Sequence, residues 1–288
     1  MGRLLVALQY LLPHHGLCRC AYALSRCRIP WLKNLLIRAF MRAYRPPMAD
    51  ALEPEPLRYA SFNAFFTRAL KPGTRPSAVA PRSIGSPCDG TLSIAESLQV
   101  DQLLQAKGHH YSLGALLAAE AQWTQILRGG LYATLYLAPY NYHRVHMPLA
   151  GRLRAAWHVP GRLFSVNGAT VARVPGLFAR NERVVCAFEG EYCPFVVVLV
   201  GALLVGSIST VWHGEVTPWR RGGVHRLTPG AAAQLWQPRG AELGHFNMGS
   251  TVLLLLPPGV AQWAARLLPG APVVVGEALG SLSVPIRA

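Results

Sequence analysis

The sequence predicts an α+β fold: one β-rich domain with an amphipathic helical appendage at its N-terminus. Three observations carry this. Residues 1–45 hold apolar side chains at helical spacing and eight basic residues, with no acid before Asp50. From about residue 80 onward, short runs rich in Val, Leu and Ile recur between Gly and Pro. One helical stretch, roughly 112–127, interrupts them. The 288 residues are 51% hydrophobic and 14% charged, so the chain can bury a large core and is not disordered.

The appendage comes first. Leu4, Leu5, Leu8, Leu11 and Leu12 fall on one face of a first helix. Trp31, Leu32, Leu35, Leu36, Ala39, Phe40 and Ala43 do the same on a second, where Lys33, Asn34, Arg38, Arg42 and Arg45 take the other positions. Pro30 suits the first turn of that helix and Pro46–Pro47 its end. The formal net charge of +15 calls for an anionic partner, either nucleic acid or an anionic membrane surface. The basic cluster sits in apolar-faced helices, and no recognised nucleic-acid motif appears. The expectation is therefore a segment 1–47 lying in the plane of an anionic phospholipid membrane, with no nucleic acid bound. Two alternatives stand beside it. The helices could pack their apolar faces on the rest of the protein. A signal peptide could run from Arg3 through LLVALQYLL to Ala21-Tyr22-Ala23, although His14, His15 and Arg19 interrupt it.

The domain 48–288 follows. Strands are predicted at 131–138, 184–188, 195–200, 202–212 and 251–256. The longest apolar stretches, 195–206 and 252–256, fall short of the roughly 18 residues that a membrane-spanning helix needs, so none is expected. Cys18, Cys20, Cys27, Cys88, Cys186 and Cys193 show no CxxC spacing. Reduced thiols in a cytosolic compartment are expected, with a metal cluster of the first three as the alternative.

Three strings could carry chemistry. PCDG (87–90) sets Asp89 before Gly90, a pair that most often means an ordinary turn. YHRVHMP (142–148) places His143 and His146 at a strand end with Arg144 between them. Histidines there can exchange protons near neutral pH, or can ligate a metal. FNMGST (246–251) puts Ser250 at the mouth of a strand, after Gly249. A glycine leaves its carbonyl uncrowded, so the next hydroxyl can attack it; the alternative is a Gly-Ser turn entering a strand.

Together these strings resemble the phosphatidylserine decarboxylase family of pyruvoyl-dependent proenzymes. The resemblance is carried by SFNAFFTRALKPGTRP (61–76), PCDG (87–90), YLAPYNYHRVHMP (136–148), FSVNGATVARVPGLFARNERVV (164–185), VGSI (205–208) and MGST (248–251), in the family's order. Met248 stands where the family usually has Leu, and Gly168 follows FSVN where a proline is common.

The resemblance implies that 48–288 is a catalytic domain that cleaves itself between Gly249 and Ser250, giving a β chain 1–249 and an α chain 250–288. It assigns Asp89, His146 and Ser250 to the cleavage, by the logic of a serine nucleophile, its base and the base's orienting acid. It gives His143 the acid/base work or the carboxylate handling of the second reaction, the conversion of phosphatidylserine to phosphatidylethanolamine and CO2. The cofactor it implies is a pyruvoyl group derived from Ser250, acting as the electron sink, and it implies no metal. It further implies a heterodimer of the α and β chains, able to dimerise again, held peripherally on the cytoplasmic face of the cell (inner) membrane. Arg144 could meet a phosphate or carboxylate, or be structural. Two rivals come from other classes: a metal-dependent hydrolase using His143, His146 and Asp89 as ligands, and a non-enzymatic membrane-binding β domain in which Ser250 is idle.

Overall fold

A nine-stranded antiparallel sheet organises the molecule, in a computed structural model that describes residues 2–76, 80–118, 121–204, 207–216, 222–227, 235–248 and 250–283. Its strands follow the order His225–Arg226, Gly151–Val159, Arg183–Gly190, Pro194–Val200, Ser250–Leu256, Leu131–Leu137, Gly90–Ser97 and Pro272–Val273, and Trp236–Gln237 also pairs with Gly151–Val159. The central strands are almost wholly apolar, and such strands must be covered on both faces. Side chains alternate along each strand, so each face feeds a separate core. Val252, Leu254 and Leu256 point into one core with Val145, Ile208, Leu243 and Phe246. Leu253 and Leu255 point into the other, with Leu113, Leu116, Trp123 and Leu177.

Two small sheets cover the first face. One runs Gly214–Val216, Ile208–Thr210, Glu242–Phe246, Arg144–His146; the other runs Ser83–Gly85, Ala278–Leu282, Ala261–Trp263. Helices cover the second: α5 (Leu113–Leu117), α6 (Ala121–Leu127), α7 (Gly168–Val171) and α8 (Leu177–Arg180). The result is the mixed α+β body that the sequence predicts.

Three helices lead the chain: α1 (Gly2–Leu11), α2 (His14–Ser25) and α3 (Pro30–Tyr44). Pro30 opens α3, and Arg45 closes it in the left-handed region at φ 47°. Inward, α1 presents Val6 and Gln9. The Gln9 amide donates to Thr170 Oγ1 at 3.2 Å and accepts the Ser165 N–H at 2.8 Å. Leu8 and Leu11 of the leucine face therefore turn outward, with Leu11 83% exposed. In α3, Ile37 is buried against α4 (Phe62–Phe66), whereas Trp31 is 68% exposed and Leu35 also faces outward. No helix among the described residues is long and apolar enough to cross a membrane.

Three local expectations need correction. The stretch 112–127 is not one helix: Ala118, left-handed at φ 45°, caps α5, and α6 restarts at Ala121. The run 202–212 is not one strand either. The strand Pro194–Val200 ends, Leu204 takes φ 67°, and the chain joins another sheet at Ile208–Thr210. The segment 14–25, in which no helix is predicted, forms α2. All six cysteines are unpaired.

Candidate active site

Ser250 opens the strand Ser250–Leu256 and pairs with Leu137 at the end of Leu131–Leu137. On the other side of that strand, Thr91 pairs with Tyr136, which sets Gly90 beside Leu137. Two strand spacings thus separate the backbones of Ser250 and Gly90, roughly 10 Å. The approach of Gly90 to its neighbour requires glycine, because a Cβ there would lie 2.4 Å from the Tyr136 carbonyl oxygen. Asp89 precedes it at the start of the strand. The His146 N–H donates to the Pro87 carbonyl at 2.7 Å, so Arg144–His146 is tied to the PCDG segment.

Asp89 is 6% exposed. Arg75 grips its carboxylate, with Nε 3.0 Å from Oδ1 and Nη2 2.6 Å from Oδ2, and the Val275 N–H adds a third donor at 2.9 Å. Arg75 Nη1 also donates to Asp50 at 2.8 Å. Burial opposes the Arg75 charge, but the hydrogen bonds to Asp89 and Asp50 outweigh it and hold its pKa above the ordinary guanidinium value.

His146 lies at a cavity of about 330 Å3 that Arg75, Ser86, Tyr142 and Val275 also line. Its Nδ1 lies 2.8 Å from the Gly240 carbonyl oxygen, which can only accept, so Nδ1 carries the proton. Its Nε2 then accepts from the Tyr142 hydroxyl at 3.1 Å. Burial lowers its pKa, while the Gly240 hydrogen bond and the charges of Glu242 and Asp89 work the other way.

His143 is fully buried. Its ring stacks on Phe66 with centroids 4.0 Å apart, and its Nε2 lies 3.2 Å from the Pro139 carbonyl oxygen. Nε2 is therefore the protonated nitrogen, and Nδ1 is a bare acceptor with no partner. Burial, aided by the nearby Arg68 charge, pushes its pKa down to about 3, so the ring is neutral. Ser250 Oγ is likewise buried without a partner. The hydroxyls of Thr134, Thr210 and Thr251 are also buried without partners, so what sets Ser250 apart is its place after a glycine at the mouth of a central strand.

The structure thus brings Asp89 and His146 to one side and leaves Ser250 and His143 buried and unpaired. No hydrogen bond joins the side chains of Asp89, His146 and Ser250 to one another. Gly249 lies outside the described residues. Arg144 is committed elsewhere, donating to Glu242 at 2.7 Å and to the Thr67 carbonyl at 3.0 Å. Asp89, His143 and His146 each engage separate partners, and among the described residues no cluster of three or more His, Cys, Asp or Glu is placed to hold a metal ion.

Sequence reasoning gave no role to several residues that build this site. Asn247 anchors the segment before Ser250. Its Nδ2 donates to Ser207 at 2.7 Å and Ser209 at 3.0 Å, and its carbonyl accepts Asn63 Nδ2 at 3.1 Å. Asn63 and Phe66 lie on α4, which Ser61 caps by accepting the Ala64 N–H at 3.1 Å. One short helix therefore pins the Asn247 loop and covers His143. The signal was present: Asn63, Phe66, Arg68 and Arg75 all fall in SFNAFFTRALKPGTRP.

Known proteins similar to this chain share one family name. A family model described as phosphatidylserine decarboxylase matches residues 62–281, and a second, described as PSD, matches residues 4–45. A phosphatidylserine decarboxylase proenzyme of Stutzerimonas stutzeri (strain A1501) is 48% identical over 287 residues, covering 99% of this chain and 97% of that protein. One from Methylococcus capsulatus (strain ATCC 33009 / NCIMB 11132 / Bath) is 49% identical over 279 residues, covering 97% and 96%. One from Pseudomonas entomophila (strain L48) is 48% identical over 288 residues, covering 100% and 99%. The protein is an enzyme of the carboxy-lyase class. It belongs to the phosphatidylserine decarboxylase family.

Proposed function

We propose that this chain is a proenzyme that cleaves itself between Gly249 and Ser250, and that the pyruvoyl group formed at residue 250 serves decarboxylation of phosphatidylserine to phosphatidylethanolamine. The observation that carries the reading is the buried, unpartnered Ser250 Oγ at the mouth of a central strand. Thr251 Oγ1 beside it is equally unpartnered, but Ser250 follows a glycine, whose uncrowded carbonyl its hydroxyl can attack.

In the cleavage, His146 releases Tyr142 and takes the Ser250 proton on Nε2, since its Nδ1–H is held by Gly240. Asp89, close enough to raise the proton affinity of His146, stabilises the imidazolium, and Arg75 fixes Asp89. Ser250 Oγ bonds to the Gly249 carbonyl carbon, the C–N bond breaks and the nitrogen gains a proton, giving an ester. Loss of the Ser250 Cα proton then breaks the Cβ–Oγ bond. Gly249 leaves as a free carboxylate, and water replaces the resulting enamine nitrogen, which departs as ammonia. The α chain 250–288 stays bound, because Ser250–Leu256 is hydrogen-bonded on both sides to strands of the β chain 1–249.

The pyruvoyl carbonyl supplies an electron sink for the carbanion left when CO2 departs. His143 Nδ1, bare and unpaired, is the acid/base group of this step: it takes a proton from the substrate's ammonium group and then returns it to the carbon that CO2 leaves.

A lipid substrate suits the segment 1–47. Leu8, Leu11, Leu24, Trp31 and Leu35 project outward among basic residues, as on a helix platform at an anionic membrane surface. An apolar cavity of about 560 Å3 between α2 and α3 reaches Met248, two residues from Ser250, and suits an acyl chain. On this reading the enzyme is a peripheral protein of the cytoplasmic membrane face, a heterodimer of α and β chains. The test is conversion of phosphatidylserine in vesicles. The wild type should release CO2 and phosphatidylethanolamine and Ser250→Ala neither; turnover by Ser250→Ala would refute the reading.

A further inference from the structure

Arg68 is 2% exposed, yet its charge is poorly met. Its Nη2 lies 3.3 Å and 3.5 Å from the carbonyl oxygens of Tyr140 and Asn141, and Nε and Nη1 have no hydrogen-bond partner. Arg183 is equally buried and shows what a structural arginine does here: it donates to four carbonyls, those of Leu116, Ala179, Asn181 and Ala115, at 2.6–2.8 Å. A buried guanidinium without such partners is costly, and the Phe65 ring 5.8 Å away offsets little of that. The cost makes sense if an anion completes the site.

The surroundings provide a place for one. Arg68 lines a cavity of about 330 Å3 with Thr67, Tyr59, Arg144 and Glu53. Arg144 is neutralised by Glu242 at 2.7 Å, and Glu53 faces Arg58 at 3.9 Å, so the uncompensated charge is that of Arg68. The segment carrying Arg68 follows α4, whose Phe66 stacks on His143 and whose Asn63 holds Asn247. The cavity is therefore tied to the Ser250 site by one short element.

We propose that Arg68 binds the phosphodiester of the lipid headgroup and so sets the distance between lipid and residue 250; this rests on the phosphatidylserine reading above. The carboxylate is the poorer candidate. Its charge must leave as neutral CO2, and a fixed cation on it would stabilise the ground state more than the transition state. The phosphodiester keeps its charge throughout, so a permanent guanidinium does not raise the barrier.

The test uses the full chain with Ser250→Ala, which removes the cleavage nucleophile. It is titrated by NMR with glycerophosphoethanolamine, L-serine and inorganic phosphate. Arg68→Gln in that background should weaken glycerophosphoethanolamine about tenfold to a hundredfold and leave L-serine unchanged. Equal affinity for glycerophosphoethanolamine, or a loss confined to L-serine, overturns the proposal. Inorganic phosphate binding more tightly than the phosphodiester would also overturn it, assigning the cavity to a free anion. If Arg68→Gln does not fold, Arg68→Lys decides, because lysine keeps the charge but not the two-pronged donor. A weakening of threefold or more for glycerophosphoethanolamine alone supports the proposal, and no change overturns it. Self-cleavage of the wild type, followed separately by mass, tests the pyruvoyl reading without reference to Arg68.

Discussion

Arg75 holds both carboxylate oxygens of Asp89, with Nη2 2.6 Å from Oδ2 and Nε 3.0 Å from Oδ1. Asp89 thus faces an arginine from a segment fourteen residues earlier, and His146 takes its orientation from Gly240 and Tyr142. Among the described residues no hydrogen bond joins the Asp89 carboxylate to the His146 ring, whose pKa burial lowers against the smaller opposing effect of the Asp89 charge.

Arg75→Gln should therefore damage both stability and processing. Removing one partner of a largely buried pair costs about 3 kcal/mol, measured by urea unfolding. Self-cleavage, followed on denaturing gels, should slow at least tenfold. Wild-type cleavage rates in this variant would show that Asp89 needs no clamp.

His143 gives a pH signature. Its folded pKa, about 3, lies below the ordinary histidine value of 6.5, so between these limits the unfolded chain binds the extra proton. Stability should fall as pH drops through that window, by up to about 1.4 kcal/mol per pH unit from this group. Urea titrations from pH 6.5 to 4.5 should show a shallower slope in His143→Phe than in the wild type. Identical slopes would mean that His143 is not held neutral by burial.

Asn247→Ala removes two side-chain donors and the Oδ1 acceptor, whereas Asn63→Ala removes one donor group on the other side. Net costs of about 2–3 and about 1 kcal/mol are expected. Both variants should cleave more slowly, Asn247→Ala the more so. An unaffected cleavage rate in a folded Asn247→Ala protein would remove the loop-anchoring role.

Replacing Leu11, Trp31 and Leu35 together by Ser touches side chains that face outward, so unfolding free energy should change by less than about 1 kcal/mol. Partition onto anionic vesicles in a sedimentation assay should fall severalfold. Unchanged partition would make those faces irrelevant to membrane contact.

Much of this was legible in the sequence. The strands Leu131–Leu137, Pro194–Val200 and Ser250–Leu256 announce themselves through β-branched and leucine runs. Ala118 and Leu204 do not, because a positive φ at a non-glycine residue is imposed by tertiary packing. For α1, helical spacing identified a leucine face but not its direction. That is decided by Gln9, whose polar ends meet Thr170 and Ser165, more than 150 positions away. The same holds at the site. Asp89, His143, His146 and Ser250 stand out as residue types that do chemistry, but Arg75, Asn63 and Asn247 act by holding others, and such partners become visible only when the chain is folded.

Intact-protein mass spectrometry of the purified wild type tests most directly whether Ser250 gives up its oxygen and nitrogen to become a carbonyl cofactor. Two chains that separate only on denaturation are expected, divided between Gly249 and Ser250, the smaller beginning with a carbonyl in place of its amine. A single mass for the whole chain, stable over time and in the presence of anionic vesicles, would contradict it.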